Sequence, residues 1–210
     1  SRQKRQERFI CGFGLTVKKL FPKYLDWLSE IQDPRQQGKC RYPLRSLLWL
    51  SIFMMVSGQG SRNQYNEQLS TEETHRLLET LFNLELPSLP HGDTLAHLWK
   101  QLKPADIEKL KWVMLHCLLR RGYLKRFRDS RGRYLLALDG TELYRWSKPH
   151  CEQCLRAASG PDKSMQYFHR VLELKLISSD GLCLSLVTEI IENESPDVEK
   201  QDGELKAAKR

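Results

Sequence analysis

The sequence lacks a long apolar run, a glycine-rich phosphate loop and a secretory leader pattern. Its most apolar stretch, 44–56, includes Arg45 and is shorter than the roughly 20 residues that span a bilayer. The basic start, 1–5, is followed by no apolar segment of the kind found in a signal peptide. No G-x-S-x-G or P-loop motif occurs. These absences argue against a membrane protein, a P-loop nucleotidase and a serine hydrolase.

Cysteine is sparse and scattered along the chain. The six positions are Cys11, Cys40, Cys117, Cys151, Cys154 and Cys183. Most of them lie in apolar contexts and no leader precedes them. The pattern therefore indicates reduced thiols in the cytosol and not a disulfide framework.

Acidic residues are under-represented in the first part of the chain. Residues 1–133 contain 24 Lys or Arg against 13 Asp or Glu, a net charge of +11. Residues 134–210 contain 10 against 13, a net charge of −3. Only the first part can attract a polyanion by charge alone, although a basic solvated surface explains the same composition.

The period of the apolar residues changes near residue 130. Helical spacing runs from 15 to 122, and the charged residues 1–8 are predicted to be disordered. Three strands follow, at 134–138, 166–178 and 182–191, the last two joined by an Asp-Gly turn at 179–181. A helix begins near Asp202. We therefore predict an α+β fold with a helical domain, 1–132, and an incomplete sheet domain, 133–210.

An acidic residue follows the first predicted strand. The apolar run 134–138 is typical of a strand buried on both faces, and Asp139 and Gly140 come directly after it. A carboxylate at such a strand end can bind Mg²⁺, and phosphoryl transfer by two metal ions needs several of them. The alternative is that Asp139 only caps the following turn.

Two cysteines have the spacing of a zinc knuckle. Cys151 and Cys154 form a C-x-x-C pair, and His169 follows after a Gly, Pro and Ser-rich loop. Both thiolates of such a pair can reach one tetrahedral ion, so the three residues are candidate Zn²⁺ ligands. His150 is too near in sequence to be an easy fourth ligand. The alternative is a pair of cysteines in an exposed loop.

A basic segment joins the two predicted domains. Seven basic residues occur between 120 and 133, with Tyr123 and Phe127 among them. They are Arg120, Arg121, Lys125, Arg126, Arg128, Arg131 and Arg133. This composition favours contacts with DNA phosphates, although a solvated connector at a helix end has the same composition.

Taken together, these segments resemble the N-terminal part of a bacterial insertion-sequence transposase of the DDE class. The helical segments that carry the resemblance are LRSLLWLSIFMMVSGQGSRNQYNEQL and LPHGDTLAHLWKQL. LLALDGTEL resembles the first strand of the catalytic core, with Asp139 as the first D. PHCEQCL, YFHRVLELKLI, CLSLVTEIIEN and KQDGELKAAKR resemble the segments that follow it.

The resemblance implies an RNase H-like core that uses Mg²⁺ or Mn²⁺ to cleave and transfer DNA strands. The resemblance implies that its partner is double-stranded DNA at transposon ends. It also implies a possible homodimer and a location in the bacterial cytoplasm, at the nucleoid. The second D and the E of the family follow a later strand and a later helix, beyond these 210 residues. We therefore expect this chain to be inactive in strand cleavage.

Two other functions fit the same residues. One is a non-catalytic helical module for DNA binding or dimerisation, and the other is a nuclease of the same fold whose remaining acids lie elsewhere. The resemblance also concerns the zinc residues, because relatives tend to have Cys where this chain has Gly203. If that Cys is the fourth ligand, zinc binding here is weaker, or water or Asp202 completes it.

Overall fold

Helices form the first part of the chain and an antiparallel sheet forms the second, which confirms the predicted α+β class. The structure is a computed structural model that describes residues 2–159, 163–191 and 203–209. The chain divides between Leu118 and Leu119 into a helical unit and a sheet unit. The helices are α1 (Arg2–Leu20), α2 (Tyr24–Ser29), α3 (Leu44–Val56), α4 (Arg62–Gln68), α5 (Glu72–Phe82), α6 (Gly92–Trp99) and α7 (Pro104–Arg120).

Helix α3 is the centre of the helical unit. Leu47, Leu50 and Phe53 are completely buried in it, as the apolar stretch predicted. Trp49 packs on the rings of Tyr24 and Phe82, with centroid separations of 4.9 and 4.7 Å. Burial of such side chains stabilises by roughly 1.5–3 kcal/mol each. No helix in the described part of the chain is both long enough and apolar enough to cross a bilayer.

Helix α1 begins much earlier than the apolar spacing suggested. It includes residues 2–8, so the prediction that this charged start is disordered is wrong there. Ile10 is fully buried in the same core, and Phe13 stacks on Trp49 with a centroid separation of 5.5 Å. These contacts hold the helix directly after its charged start.

The sheet unit contains four strands within the described residues, one more than predicted. They are β1 (Leu135–Trp146), β2 (Leu155–Ser159), β3 (Ser164–Ile177) and β4 (Cys183–Ile191). All pairings are antiparallel, and β3 is the central strand. One edge of β3 pairs with β1 along its length, and the other edge pairs first with β2 and then with β4.

The short helix α8 (Glu204–Ala207) packs on part of one face of the sheet. Ala207 packs with Phe168, Leu172 and Ile191 in the small core of this unit. The predicted helix 202–210 is described only in this part, and Asp202 and Arg210 lie outside the described residues. Gly140 of β1 lies beneath Glu204, where an added Cβ would be 2.1 Å from the Glu204 carboxylate oxygen.

Two predictions about β1 are wrong. The strand does not end at Asp139 but continues to Trp146, because the residues after Gly140 keep pairing with β3. Its apolar start is also not buried on both faces, since Leu135, Leu136 and Leu138 are 59%, 51% and 55% exposed. In the described part of the chain, β1 pairs with β3 alone. An apolar run therefore shows strand-forming tendency here without showing burial.

Candidate functional site: a Cys-Cys-His cluster and a basic segment

The connection between β1 and β2 brings the predicted zinc residues together. Trp146, the last residue of β1, pairs with Tyr167, and Leu155, the first of β2, pairs with Phe168. These strands lie on opposite edges of β3, so residues 147–154 must cross over β3. They cross on the face that carries His169, because Phe168 points into the core on the other face and side chains alternate along a strand.

The three ligand atoms have the spacing of a tetrahedral site. The two sulfurs are 3.8 Å apart, and His169 Nε2 is 3.4 Å from Cys151 Sγ and 3.5 Å from Cys154 Sγ. Zinc bonds of ordinary length at tetrahedral angles give about 3.8 Å between two sulfurs and about 3.6 Å between sulfur and nitrogen. Among the described residues, this is the group of three His, Cys, Asp or Glu side chains arranged to hold a metal ion.

The cluster combines a backbone hydrogen bond to one sulfur with partial desolvation of the other. The backbone N–H of His150 donates to Cys154 Sγ over 3.4 Å, and Cys154 is buried while Cys151 lies at the surface. Partial desolvation of its sulfur, followed by the neighbouring Cys154 thiol, raises the pKa of Cys151, against a backbone N–H from Gln153. The raised pKa favours the neutral thiol of Cys151. A bound divalent cation would favour the thiolate instead, since thiolate is the form that binds metal.

Aromatic packing fixes the approach of the crossing connection. The ring of Trp146 lies 4.0 Å from the His150 ring and 6.1 Å, edge on, from the His169 ring. His150 is therefore held against the tryptophan. None of the six cysteines is in a disulfide.

The structure gives no support to a fourth ligand from position 203. Glu204, the next residue, lies against Gly140, which pairs with Leu172 of β3. Leu172 and His169 are three residues apart, so their side chains point to opposite faces of the sheet. Gly203 thus approaches the face opposite the cluster.

Asp139 is exposed in the middle of β1. Its Oδ1 accepts the backbone N–H of Gly140 over 2.9 Å, and Glu173 of β3 is its partner across the strands. Lys175 Nζ lies 2.8 Å from the Glu173 carboxylate and is attracted by Asp139 as well. The described residues therefore bring a lysine and one carboxylate to Asp139, and they do not fit a site for two Mg²⁺ ions, which requires several carboxylates.

The basic segment folds as one turn-rich stretch at the start of the sheet unit. Gly122, at φ +76°, ends α7, and a 3₁₀ helix (Tyr123–Phe127) follows. Leu124 and Phe127 are buried, so Phe127 packs inside the unit and is no platform for a base. Tyr123 is exposed, with the guanidinium of Arg121 5.6 Å from its ring centre.

All seven predicted DNA-binding side chains of this segment are exposed, but their charges differ in availability. Arg126 pairs with Asp180 at 2.7 Å, and Arg133 makes a two-point contact with Asp129 over 3.0 and 2.8 Å. Hydrogen bonds from Arg133 lower the pKa of Asp129, the backbone N–H having the larger effect. A side-chain hydrogen bond from Ser178 is the main cause that lowers the pKa of Asp180, ahead of Arg126. Arg120, Lys125 and Arg131 form no ion pair with the described acids.

Three elements of the site escaped sequence reasoning. Strand β2 was missed because Leu155–Ser159 is short and follows a turn-rich loop. The pairing of Asp139 with Glu173 was missed because the sequence does not reveal the register between β1 and β3, which also contains a bulge between Glu142 and Tyr144. The pairing of Arg126 with Asp180 joins residues 54 apart, and no local signal marks it.

Comparison with known families finds one match, and it lies in the helical unit. Residues 25–113 match the family model DDE_Tnp_1-associated, a domain that occurs in DDE transposases. The match covers 89 of the 210 residues and lies entirely within the helical unit. No curated protein and no solved structure matches the chain. The match supports a transposase-related role.

Proposed function

We propose that this chain is the DNA-binding portion of a DDE-class transposase of a bacterial insertion sequence. The observation that carries the proposal is the match of residues 25–113 to a domain that occurs in DDE transposases. Double-stranded DNA at the transposon ends is the proposed partner, with a homodimer as the assembly that holds two ends. The proposed location is the bacterial nucleoid, in the cytoplasm.

Charge supports DNA as the partner. The net charge of +11 lies in residues 1–133 and ends with the basic segment 120–133. That segment carries seven exposed basic side chains and one acidic residue, Asp129. Exposed Lys and Arg side chains gain affinity by displacing counterions from phosphates, which needs no particular base sequence. The segment is our proposed site of phosphate contact.

Strand cleavage and transfer are proposed only for the longer protein of which this sequence would be a part. Asp139 is the proposed first metal-binding carboxylate of an RNase H-like core, and Mg²⁺ or Mn²⁺ would supply Lewis-acid chemistry there. Because the described residues do not complete that site, we derive no reaction step from them and expect no cleavage by this chain alone.

A non-catalytic helical module is the second candidate. The family match ends at residue 113, and the described residues do not place two further carboxylates beside Asp139. Both observations favour a function that depends on binding alone, to DNA or to a second copy of the chain.

The test is binding of the whole 210-residue chain to labelled duplex DNA across a salt series, with Mg²⁺ present and cleavage products followed in the same samples. We expect affinity to fall steeply as salt rises, with no cleavage. Absence of binding at low salt would contradict the proposal. Cleavage that Asp139→Ala abolishes would show that the active site is complete after all, and binding without a salt dependence would exclude the phosphate contacts.

A further inference from the structure

We propose that Cys151, Cys154 and His169 bind one Zn²⁺ ion that fastens the β1–β2 connection to β3. The proposal does not depend on DNA binding or on Asp139. It assigns a structural metal site to the sheet unit, with three protein ligands and a fourth position open to water or to another small ligand.

The spacing of the ligand atoms is the first support. Separations of 3.8, 3.4 and 3.5 Å match the edges of a zinc-centred tetrahedron within about 0.2 Å, the tolerance expected for such sites. A disulfide between the two cysteines would need their sulfurs at about 2 Å. The donor set of two thiolates and one imidazole suits Zn²⁺ better than Mg²⁺ or Ca²⁺, which prefer oxygen.

The path of the chain is the second support. Only eight residues, 147–154, carry the chain from one edge of β3 to the other, and two of them present sulfur to His169 in passing. Strand β2 has five residues and pairs with β3 alone in the described part of the chain. A short edge strand of this kind is weakly held by its own hydrogen bonds, so a metal crosslink beside it contributes a large part of its stability.

The surroundings are the third support. The N–H of His150 donates to Cys154 Sγ, a hydrogen bond that stabilises a metal-bound thiolate by placing a partial positive charge beside it. Trp146 packs against His169 edge on and restricts the orientation of the imidazole. The site is thus shaped before the ion arrives, which reduces the ordering cost of binding.

The experiment is metal analysis of the whole chain purified under reducing conditions, followed by exchange of the bound ion for Co²⁺. We expect one Zn²⁺ per chain. The Co²⁺ form should show the visible bands of a tetrahedral ion and thiolate charge transfer from two sulfurs. Less than half an equivalent of zinc in the reduced chain, or an octahedral Co²⁺ spectrum, overturns the proposal.

Variants separate the site from the other thiols. Cys154→Ser should lose at least tenfold in zinc affinity, whereas Cys183→Ser, an exposed cysteine at the start of β4, should keep full affinity. His169→Cys retains a ligand and should raise the thiolate charge transfer by about half, as expected for a third sulfur. Equal affinity in Cys154→Ser and Cys183→Ser contradicts the assignment, and the His169→Cys signal decides the matter if Cys154→Ser fails to fold. DNA binding measured on the same samples reports on the proposed function separately.

Discussion

Asp139 of β1 and Glu173 of β3 lie directly opposite each other in the antiparallel register. Like charges in this position repel, and the neighbouring Lys175, 2.8 Å from Glu173, offsets the repulsion. At this position the repulsion from Glu173 opposes the attraction of Lys175 and the hydrogen bond from the Gly140 N–H.

Replacing this carboxylate should leave the fold intact. We expect Asp139→Asn to keep the melting temperature within about 2 °C of the parent or to raise it, because it removes a repulsion. Lys175→Ala should lower the melting temperature, because the opposed carboxylates of Asp139 and Glu173 then remain without the neighbouring positive charge. Thermal unfolding followed by circular dichroism measures both changes. A marked loss of stability in Asp139→Asn would show that its bond from the Gly140 N–H is structural.

The basic segment should divide into two classes of residue in DNA binding. Arg131 forms no ion pair with the described acids, so Arg131→Ala should weaken binding and reduce the salt slope by about 0.9, the value for one lost phosphate contact. Arg126 is held by Asp180, and Arg126→Ala should reduce the slope by less. The measurement is affinity for duplex DNA at several salt concentrations.

A matched variant tests whether charge is the cause. Asp180→Asn releases Arg126 from its partner and should raise DNA affinity, while Glu67→Gln, an exposed residue of α4, changes the net charge equally at a distant position in the sequence. Equal gains in the two variants would mean that the overall charge decides, and that the segment has no special part in binding.

Two glycines of α1 should respond oppositely to alanine. An added Cβ at Gly12 meets nothing within 4 Å, so Gly12→Ala should stabilise by about 0.5–1 kcal/mol through helix propensity. At Gly14 the Cβ would be 2.9 Å from the ring of Phe82, which is 1% exposed, so Gly14→Ala should destabilise by about 1–3 kcal/mol. Urea unfolding of both variants measures the difference. Stabilisation by Gly14→Ala would show that α1 and α5 pack less closely than described.

Sequence reasoning succeeded where one local signal was enough. The apolar stretch predicted α3, and the Asp-Gly turn predicted the β3–β4 hairpin, in which Gly181 has a φ of +82°. The C-x-x-C spacing predicted that the two cysteine side chains lie close together. It failed where the outcome depends on distant partners. The exposure of Leu135 depends on which strands pair with β1. The formation of β2 depends on the connection that crosses β3, which only the order of the strands in the sheet reveals.

Removal of the proposed zinc should loosen one part of the sheet unit. Amide hydrogen exchange in β2 and in residues 147–154 should accelerate after chelation, because the proposed ion fastens this connection and its five-residue edge strand to β3. Buried residues of α3, such as Leu50, should exchange as before. Mass spectrometry of peptides from both regions, before and after chelation, makes the comparison. Acceleration throughout both units would mean that chelation unfolds the whole chain, and no change in β2 would exclude a structural role for the ion.

Glu142 should make stability depend on pH. Its carboxylate accepts two hydrogen bonds from Arg145, at 2.7 and 2.8 Å, and Arg170 lies 3.6 Å away. Arg145 is the main cause that lowers the pKa of Glu142 below its ordinary 4.5. A carboxylate whose pKa is lowered by folding stabilises the fold above its unfolded pKa, and this contribution disappears as pH falls through the folded value.

The test is a comparison of the parent chain with Glu142→Gln across pH. We expect the variant to melt at a lower temperature at pH 7, and the difference to shrink from about pH 4.5 downward, since protonation then removes the same charge from the parent. Both arginines also lie 4.9 Å from the ring of Phe168, so part of their packing survives in the variant and the effect should be modest. A difference that stays constant down to pH 3 would assign the contribution of Glu142 to packing and not to its charge.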